Sequence, residues 1–272
     1  MRPPAVSGRF YPGTRAELAR AVDDLLAAVR PGAHPAGARG AVAPHAGYVY
    51  SGMTAAHVFA RLRLPRVVVI LAPNHTGVCH APGGASLWEA GAFATPLGDV
   101  PVDDAFAAAL VDASSLVASD HDAHRAEHAV EVQLPFLLAL RPDVRIVPLI
   151  LAWDRWDDCH ALGDALAALA RRWTEPVLLL ASSDLNHYDP AAVGELKDAR
   201  ALAAVETLDG AELLGRCRRE RISMCGRAPV ATVLAATQAL GATRADVVDY
   251  RHSGWVTGDE RQVVGYGGVV IL

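Results

Sequence analysis

The sequence predicts a single α/β domain whose central sheet is mixed or mostly parallel and is flanked by helices. Several runs of branched apolar residues, such as Val177–Leu180, contain no polar residue, which is typical of strands buried on both faces. Segments with helical spacing of apolar residues alternate with these runs. The chain has 272 residues, 52% of them hydrophobic, and shows no repeat or linker. One core is therefore expected to span residues 1–272.

The N-terminal half is predicted to begin with an irregular arm, residues 1–13, held to the body by Phe10 and Tyr11. Thr14 and Glu17 form a capping box ahead of a helix that ends near Val29. A loop rich in proline and glycine follows at 31–40. The next predicted elements are a strand ending at Pro44, a helix at 53–62, a strand at 67–71, short strands near Leu87 and Phe93, and helices at 101–113 and 127–141.

The C-terminal half continues the alternation of strands and helices. The predicted elements are a strand at 144–151, a helix at 154–173, a strand that starts at Val177, helical residues 191–219 broken near Asp209–Gly210, a turn at 222–227, a helix at 229–240, and strands at 246–250 and 262–272. Proline in its first turn favours the helix that begins near Pro229.

Three of the predicted strands end in polar residues that include a histidine. Two of them lead to His45 and His75, and the third leads through Ser183 and Asp184 to His187. Ligands of open α/β sheets bind beyond the carboxyl ends of the strands. The pattern therefore predicts one convergent site, against the alternative of three unrelated histidines in turns.

Composition excludes several classes of function. A net charge of −5 and a pI near 6.1 give no reason to expect nucleic acid or an acidic membrane surface as a partner. Lys197 is the only lysine, which argues against Schiff-base chemistry, and the chain has no phosphate-binding GxxxxGK[ST] loop. No secretory signal or membrane-spanning run is expected. The four cysteines lack CxxC spacing, so a reducing, cytoplasmic setting is predicted.

Cys225 is the thiol best placed for chemistry. It precedes the helix predicted from Pro229, and both a helix N-terminus and the neighbouring Arg227 favour the thiolate, the form that binds metals. Gly226 would let the backbone approach the site closely. The alternative is a buried, inert cysteine, which is the interpretation given to the other three cysteines, Cys79, Cys159 and Cys217.

The residue types leave two metal sites open. Two imidazoles with a thiolate suit iron(II), copper or zinc, whereas two imidazoles with Asp184 would form a facial triad for non-haem iron(II). Asp184 and His187 also suit a proton relay, in which Asp184 orients the imidazole, or else a helix cap and a turn histidine. His121 and His124 are expected on the solvated surface because aspartates flank them.

Six motifs carry a resemblance to a known family. PAVSGRFYPG, APHAGYVYSG, LAPNH, EHAVEVQLPF, SSDLNHY and MCGR occur in this order, and with them nearly the whole chain resembles the Memo family. That family is the "Memo" member of the AmmeMemoRadiSam system, and its fold is similar to class III extradiol dioxygenases of the LigB type. The resemblance implies metal binding by His45, His75 and Cys225. It also implies a shared pocket that includes Asp184, His187, His128, Glu131, Asn74, Ser183 and Tyr48.

The function expected from this resemblance is a redox or oxygen-linked role for bound iron or copper, with zinc less favoured. The implied partners are an AMMECR1-like protein and a radical SAM enzyme, acting on an unknown small-molecule or peptide substrate. Two alternatives stay open: a peptide-binding module that uses an inherited pocket, and a true extradiol-type dioxygenase. A cysteine where the dioxygenases use carboxylate ligation argues against ring cleavage.

Overall fold

The computed structural model describes residues 1–29 and 37–272, and this part of the chain forms eleven strands. The predicted loop at 31–40 lies mostly outside the described residues. The strands are β1 Gly40–Ala43, β2 Val67–Pro73, β3 Ala85–Leu87, β4 Ala92–Thr95, β5 Gly98–Pro101, β6 Val117–Ser119, β7 Arg145–Leu151, β8 Val177–Ser182, β9 His187–Asp189, β10 Ala245–His252 and β11 Val263–Ile271.

Ten α-helices form in the same residues, and a single 3-10 turn, Glu131–Gln133, precedes the fifth. The helices are α1 Arg15–Ala28, α2 Tyr48–Phe59, α3 Asp104–Ala113, α4 His121–Arg125, α5 Leu134–Leu140, α6 Trp156–Arg172, α7 Ala191–Glu206, α8 Gly210–Arg219, α9 Arg227–Ala239 and α10 Gly254–Thr257. None of the described helices combines the length and the apolar character that a bilayer span requires.

The main sheet has nine strands in the order β10-β11-β1-β8-β2-β7-β3-β6, with β9 paired to β11. Its centre is parallel. β1 and β2 each pair in parallel with β8, and β7 pairs in parallel with β2. The pairs β1–β11, β10–β11 and β3–β7 are antiparallel. The predicted mixed α/β sheet with flanking helices is therefore confirmed.

The parallel centre places the candidate site. β2 is buried along its whole length, as its run of valine, isoleucine and leucine predicts. Ala43 at the end of β1 pairs with Ser182 at the end of β8, and Leu71 of β2 pairs with Ala181. The three strands therefore end at one edge of the sheet, and the residues that follow them meet there. α9 packs on all three strands, and α6 in turn packs on α9.

The helix after β1 begins earlier than predicted. The sequence indicates a start near Met53, but α2 starts at Tyr48, with Gly47 as its N-cap residue. Gly52 lies inside this helix, at a point where α1 approaches so closely that a Cβ would sit 2.9 Å from Leu25 Cδ1. The glycine thus lets α1 and α2 pack closely.

The helix predicted at 127–141 is also shorter than expected. Residues 127–130 form an irregular turn, and α5 starts only at Leu134. The carboxylate of Glu127 accepts the backbone N–H groups of His128 and Ala129 at 2.8 and 3.0 Å, so the side chain holds the turn in a non-helical form. This turn carries part of the candidate site.

Candidate metal centre

Three imidazole rings converge at the carboxyl edge of the sheet. His45 follows β1, His75 follows β2, and His128 comes from the irregular turn before α5. One ring nitrogen of each residue lies within 4.8 Å of the other two. The ring centroids of His75 and His128 are 4.7 Å apart, and that of His45 lies 5.1 and 5.4 Å from them. Of the three histidines predicted to converge from the strand ends, the structure brings His45 and His75 together. The third ring of the cluster is His128, which the resemblance placed in the same pocket, and not His187.

The hydrogen bonds of Ser182 fix the tautomer of His45. Ser182 Oγ donates its only hydrogen to the carbonyl of Ala129 at 2.7 Å and accepts from Gln133 Nε2 at 2.9 Å. His45 Nδ1, 2.8 Å from the same oxygen, must therefore donate to it. The lone pair of His45 is left on Nε2, the atom that faces the thiol of Cys225 at 3.3 Å.

Glu127 is the residue that sequence reasoning missed. It is buried, and Oε1 accepts from His75 Nδ1 at 2.9 Å and lies 3.3 Å from His128 Nδ1. Metal-binding histidines commonly donate their other ring nitrogen to such a carboxylate. A glutamate directly before a candidate histidine was the available signal, in the first residue of EHAVEVQLPF.

The charge states of these groups follow from burial and from one another. Burial, then the neighbouring imidazoles, lower the pKa of His45, and burial also lowers the pKa of His128. Burial acts in the same direction on His75, but the hydrogen bond and charge of Glu127 outweigh it and raise its pKa. Burial acts to raise the pKa of Glu127, but the hydrogen bond from His75 and the charge of that imidazole outweigh it and lower the pKa to about 2. The cluster thus pairs the Glu127 anion with His75, whose raised pKa favours the protonated form, and with His45 and His128, whose lowered pKa values favour the neutral form that binds metals.

Cys225 adjoins the imidazoles. Besides its contact with His45, its Sγ accepts from the backbone N–H of Asp184 at 3.3 Å. The predicted close approach at Gly226 is confirmed, because a Cβ there would lie 2.4 Å from Ser183 Cβ. Ser183, a predicted pocket residue, is buried and accepts the Gly226 N–H at 3.0 Å. Its hydroxyl holds the loop that carries Cys225 and is not free to contact the imidazoles.

Burial outweighs the two features expected to favour the thiolate of Cys225. Burial and the nearby charge of Asp184 raise the pKa of Cys225 well above its ordinary value. Arg227, expected to favour the thiolate, instead directs its guanidinium to Asp154, with Nε and Nη2 each 2.9 Å from Oδ2. The raised pKa favours the neutral thiol, and a cation bound beside the sulfur would favour its deprotonation.

Asp184 and His187 have different partners and do not form the predicted relay pair. Asp184 Oδ1 accepts the backbone N–H of His45 at 2.8 Å, and Oδ2 lies 4.0 Å from His45 Nε2. His187 donates from Nδ1 to the carbonyl of Ser223 at 3.0 Å. Burial raises the pKa of Asp184, so this carboxyl group is a candidate proton carrier beside His45.

Three further predicted pocket residues lie in different surroundings. Asn74 orders the loop after β2 by donating to the carbonyl of Val78 at 2.7 Å, and it lines a cavity beside Cys225. Tyr48 is buried, and its hydroxyl donates to the carbonyl of Val132 at 2.9 Å, which makes it a core residue. Glu131 does not face the imidazoles either, because its carboxylate is fully occupied by the N-terminal arm.

A cavity of about 360 Å³ opens beside the thiol. Its walls come from the carboxyl ends of β2 and β7 and from the start of α9. It is lined by Pro73, Asn74, Gly77, Leu151, Ala152, Trp153, Asp154, Cys225, Arg227, Ala228 and Pro229. A small organic molecule fits this volume, and the ion pair of Arg227 with Asp154 gives the cavity a polar end.

His124 contradicts the expectation of a solvated surface residue, because only 1% of it is exposed. Nε2 donates to the carbonyl of Ser86 at 3.0 Å, and Nδ1 has no hydrogen-bond partner among the described residues. Burial lowers its pKa to about 4. Of the three cysteines expected to be buried and inert, Cys159 and Cys217 are buried as predicted, whereas Cys79 is only half-buried.

This histidine gives a pH-dependent stability. The unfolded chain takes up a proton near pH 6.5 and the folded chain near pH 4, so stability falls as pH drops through this window. The loss attributable to His124 is about 3 kcal/mol, since a tenfold change in proton affinity corresponds to about 1.4 kcal/mol. Urea unfolding between pH 7 and pH 4 measures it, and His124→Gln should flatten the dependence. An equally steep dependence in the variant would contradict the assignment.

Comparisons with known proteins show the family of the chain. The family model described as "Memo-like protein" matches residues 2–270. The chain is 38% identical to a MEMO1 family protein of Methanothermobacter thermautotrophicus over 98% of both chains. It is 39% identical to one from Aeropyrum pernix over 99% of both chains. It is 36% identical to one from Aquifex aeolicus, over 100% of this chain and 99% of that one.

Among solved structures, the chain is similar to an uncharacterized protein, JW3007, from Escherichia coli K12. The TM-score is 0.56 at 16% identity, and the match covers 86% of this chain and 99% of that one. This likeness shows a shared fold and carries nothing about activity. The family assignment rests on the match to the family model and on the sequence relatives, both of which span nearly the whole chain. The chain belongs to the Memo family.

Proposed function

We propose that the protein binds a redox-active transition metal, iron(II) or copper in preference to zinc, and that it serves a redox or oxygen-linked reaction. His45, His75 and Cys225 would hold the ion, and His128 offers a further donor. The single observation that carries the proposal is the convergence of three imidazoles, each with a nitrogen within 4.8 Å of the others, beside a thiol.

The donor set fits such a metal. Nδ1 of His45 is held by Ser182 and that of His75 by Glu127, which leaves Nε2 of both rings as the available donor. Imidazole and sulfur together favour iron, copper or zinc over magnesium or calcium. The bound metal would supply electron-transfer or oxygen-binding chemistry, which zinc lacks.

The remaining residues have roles that follow from their contacts. Ser182 and Glu127 keep the ring protons on Nδ1 and so orient the imidazoles. Asp184, whose pKa is raised by burial, would take up and release a proton at Oδ2, 4.0 Å from His45 Nε2. His187 is half-buried beside the site and would exchange a proton with the substrate at Nε2, since Nδ1 is occupied by Ser223. The cavity beside Cys225 would admit a small molecule or the end of a peptide.

Metal analysis of protein purified without oxygen, and never exposed to nickel resin or added zinc, tests the proposal. We expect stoichiometric iron or copper and, with a suitable reductant, consumption of oxygen by the loaded protein. Zinc alone at full occupancy, with no oxygen uptake after iron or copper loading, would rule out the redox role.

Glu127→Gln is expected to weaken metal binding by about 10–100-fold, the usual effect of removing an outer-shell partner. The carboxylate accepts from His75 Nδ1 at 2.9 Å and from the backbone N–H of His75 at 2.7 Å, so its loss frees the ring. Chelator competition measures the affinity. Glu89→Gln, which removes an exposed carboxylate paired with His121, is the matched control. Equal affinities of Glu127→Gln and Glu89→Gln would contradict the role of Glu127.

The family resemblance supports two further parts of the proposal. The protein would act with an AMMECR1-like protein and a radical SAM enzyme, and it would reside in the cytoplasm, where its four free cysteines would stay reduced. Co-purification of the three proteins from their native host, with and without the metal ligands of this chain, tests the partnership. Absence of both partners from the wild-type complex would refute it.

A further inference from the structure

Arg2 is fully buried although it lies in the N-terminal arm. Its guanidinium pairs with the carboxylate of Glu131, donates from Nε to the carbonyl of His124 at 3.1 Å, and donates from Nη2 to the carbonyl of Glu127. Its own backbone N–H donates to the carbonyl of Ala92 at 2.8 Å. Arg2 is therefore held both by its backbone and by its guanidinium.

The three acceptors of Arg2 all belong to one segment, residues 124–131. This segment runs from the end of α4, through the irregular turn that carries the Glu127 carboxylate and the His128 ring, to the first residue of the 3-10 turn, and no regular helix holds residues 126–130 in place. The turn has few hydrogen bonds of its own, and in two of them the backbone N–H groups of His128 and Ala129 donate to the Glu127 carboxylate. Arg2 thus supplies hydrogen bonds that a helix would otherwise provide.

Glu131 extends the same connection to the rest of the arm. Its carboxylate accepts the backbone N–H groups of Ala5 and Val6 at 2.7 and 3.0 Å and the hydroxyl of Tyr11. Phe10, the neighbour of Tyr11, contacts the His128 ring, with centroids 4.8 Å apart. The arm therefore contacts the turn from both sides of His128.

We propose that Arg2 is a positioning residue for the metal centre. It fixes the 124–131 segment so that Glu127 and His128 face His75. The inference rests on the proposed metal binding. Arg2 contacts no donor atom itself, and its effect passes through the carbonyls of His124 and Glu127 and through Glu131. Loss of the guanidinium leaves the turn free to move His128 away from the other rings.

The test compares Arg2→Met, which keeps the apolar length of the side chain and removes its charge, with Arg2→Lys, which keeps the charge but not the forked geometry. Affinity for Co²⁺ is measured by chelator competition, and amide hydrogen exchange is followed in the metal-free proteins. We expect Arg2→Met to bind about tenfold more weakly, at the lower end of outer-shell effects, and to exchange faster at His128 and Ala129. Arg2→Lys should fall between, and it replaces Arg2→Met if that variant does not fold.

A double-mutant cycle separates positioning from general loss of stability. The affinity losses of Arg2→Met and His128→Ala should be less than additive, because Arg2 acts through His128, whereas those of Arg2→Met and Cys225→Ser should add. Val22→Ala, a buried change in α1, controls for lowered stability and should leave affinity unchanged. Unchanged affinity and exchange in both Arg2 variants, or full additivity with His128→Ala, would overturn the inference. Failure of the wild-type protein to bind metal would instead refute the proposed function, and hydrogen exchange would still decide whether Arg2 orders the turn.

Discussion

Replacing His45 or His75 with alanine is expected to weaken metal binding by more than about 100-fold, beyond the range seen when outer-shell partners are removed. Nδ1 already donates a hydrogen bond in both rings, to Ser182 from His45 and to Glu127 from His75. Each substitution therefore removes the one ring nitrogen that is available to bind a metal. Chelator competition with iron(II) and copper(I) under anaerobic conditions measures the affinities. His160→Ala is the control, because His160 lies on the exposed face of α6 and contacts Asp164.

Cys225 needs its own readout, because its raised pKa favours the neutral thiol in the metal-free site. Co²⁺ bound by a thiolate has a sulfur-to-metal charge-transfer band that imidazole ligands lack, so this band should vanish in Cys225→Ser. Cys79→Ser, in the loop after β2, should retain it. A band that persists in Cys225→Ser, or alanine variants of His45 and His75 that bind metal as tightly as His160→Ala, would mean that the ion sits elsewhere.

The strand pattern of the sequence predicts the edge of the sheet where His45 and His75 meet. β2 and β8 are continuous apolar runs, so their burial and parallel pairing follow from composition and length. Each run ends abruptly in polar residues, and parallel strands share one carboxyl edge. The convergence of His45 and His75 could therefore be expected before any coordinates, because it depends on the direction of the strands and not on details of side-chain packing. Cys225 precedes a helix and follows no strand, so only the family resemblance placed it at the same site.

The roles of the two glutamates could not be predicted in the same way. Glu127 and Glu131 are of one residue type, four positions apart in one motif, and helical spacing would place them on one face. What separates them is Arg2, which reaches Glu131 across 129 positions of the chain. No local pattern reports where a distant arm will bind. The protonation of Cys225 is hidden for a related reason, because burial outweighs the effects of the helix terminus and of Arg227.

Glu131→Ala is expected to destabilise the protein by about 3–5 kcal/mol, the cost of leaving one partner of a buried ion pair without the other. Arg2 and Glu131 are both fully buried, so water cannot replace the missing carboxylate. Urea unfolding at pH 7 measures the loss. Asp122→Ala, which removes an exposed ion pair with Arg125, is the control and should change stability by about 0–1 kcal/mol.

The double variant Arg2→Met with Glu131→Leu shows how much of that loss is the unpaired charge. Removing both charges should recover part of the stability lost in Glu131→Ala, because no uncompensated guanidinium stays buried. Recovery should be incomplete, since the N–H groups of Ala5 and Val6 and the Tyr11 hydroxyl still lack their acceptor, at about 1–3 kcal/mol for each group left buried. A Glu131→Ala variant as stable as Asp122→Ala would show that the arm does not depend on this carboxylate. A double variant less stable than Glu131→Ala would show that Arg2 stabilises the 124–131 segment mainly through the carbonyls of His124 and Glu127 and not through the charge of Glu131.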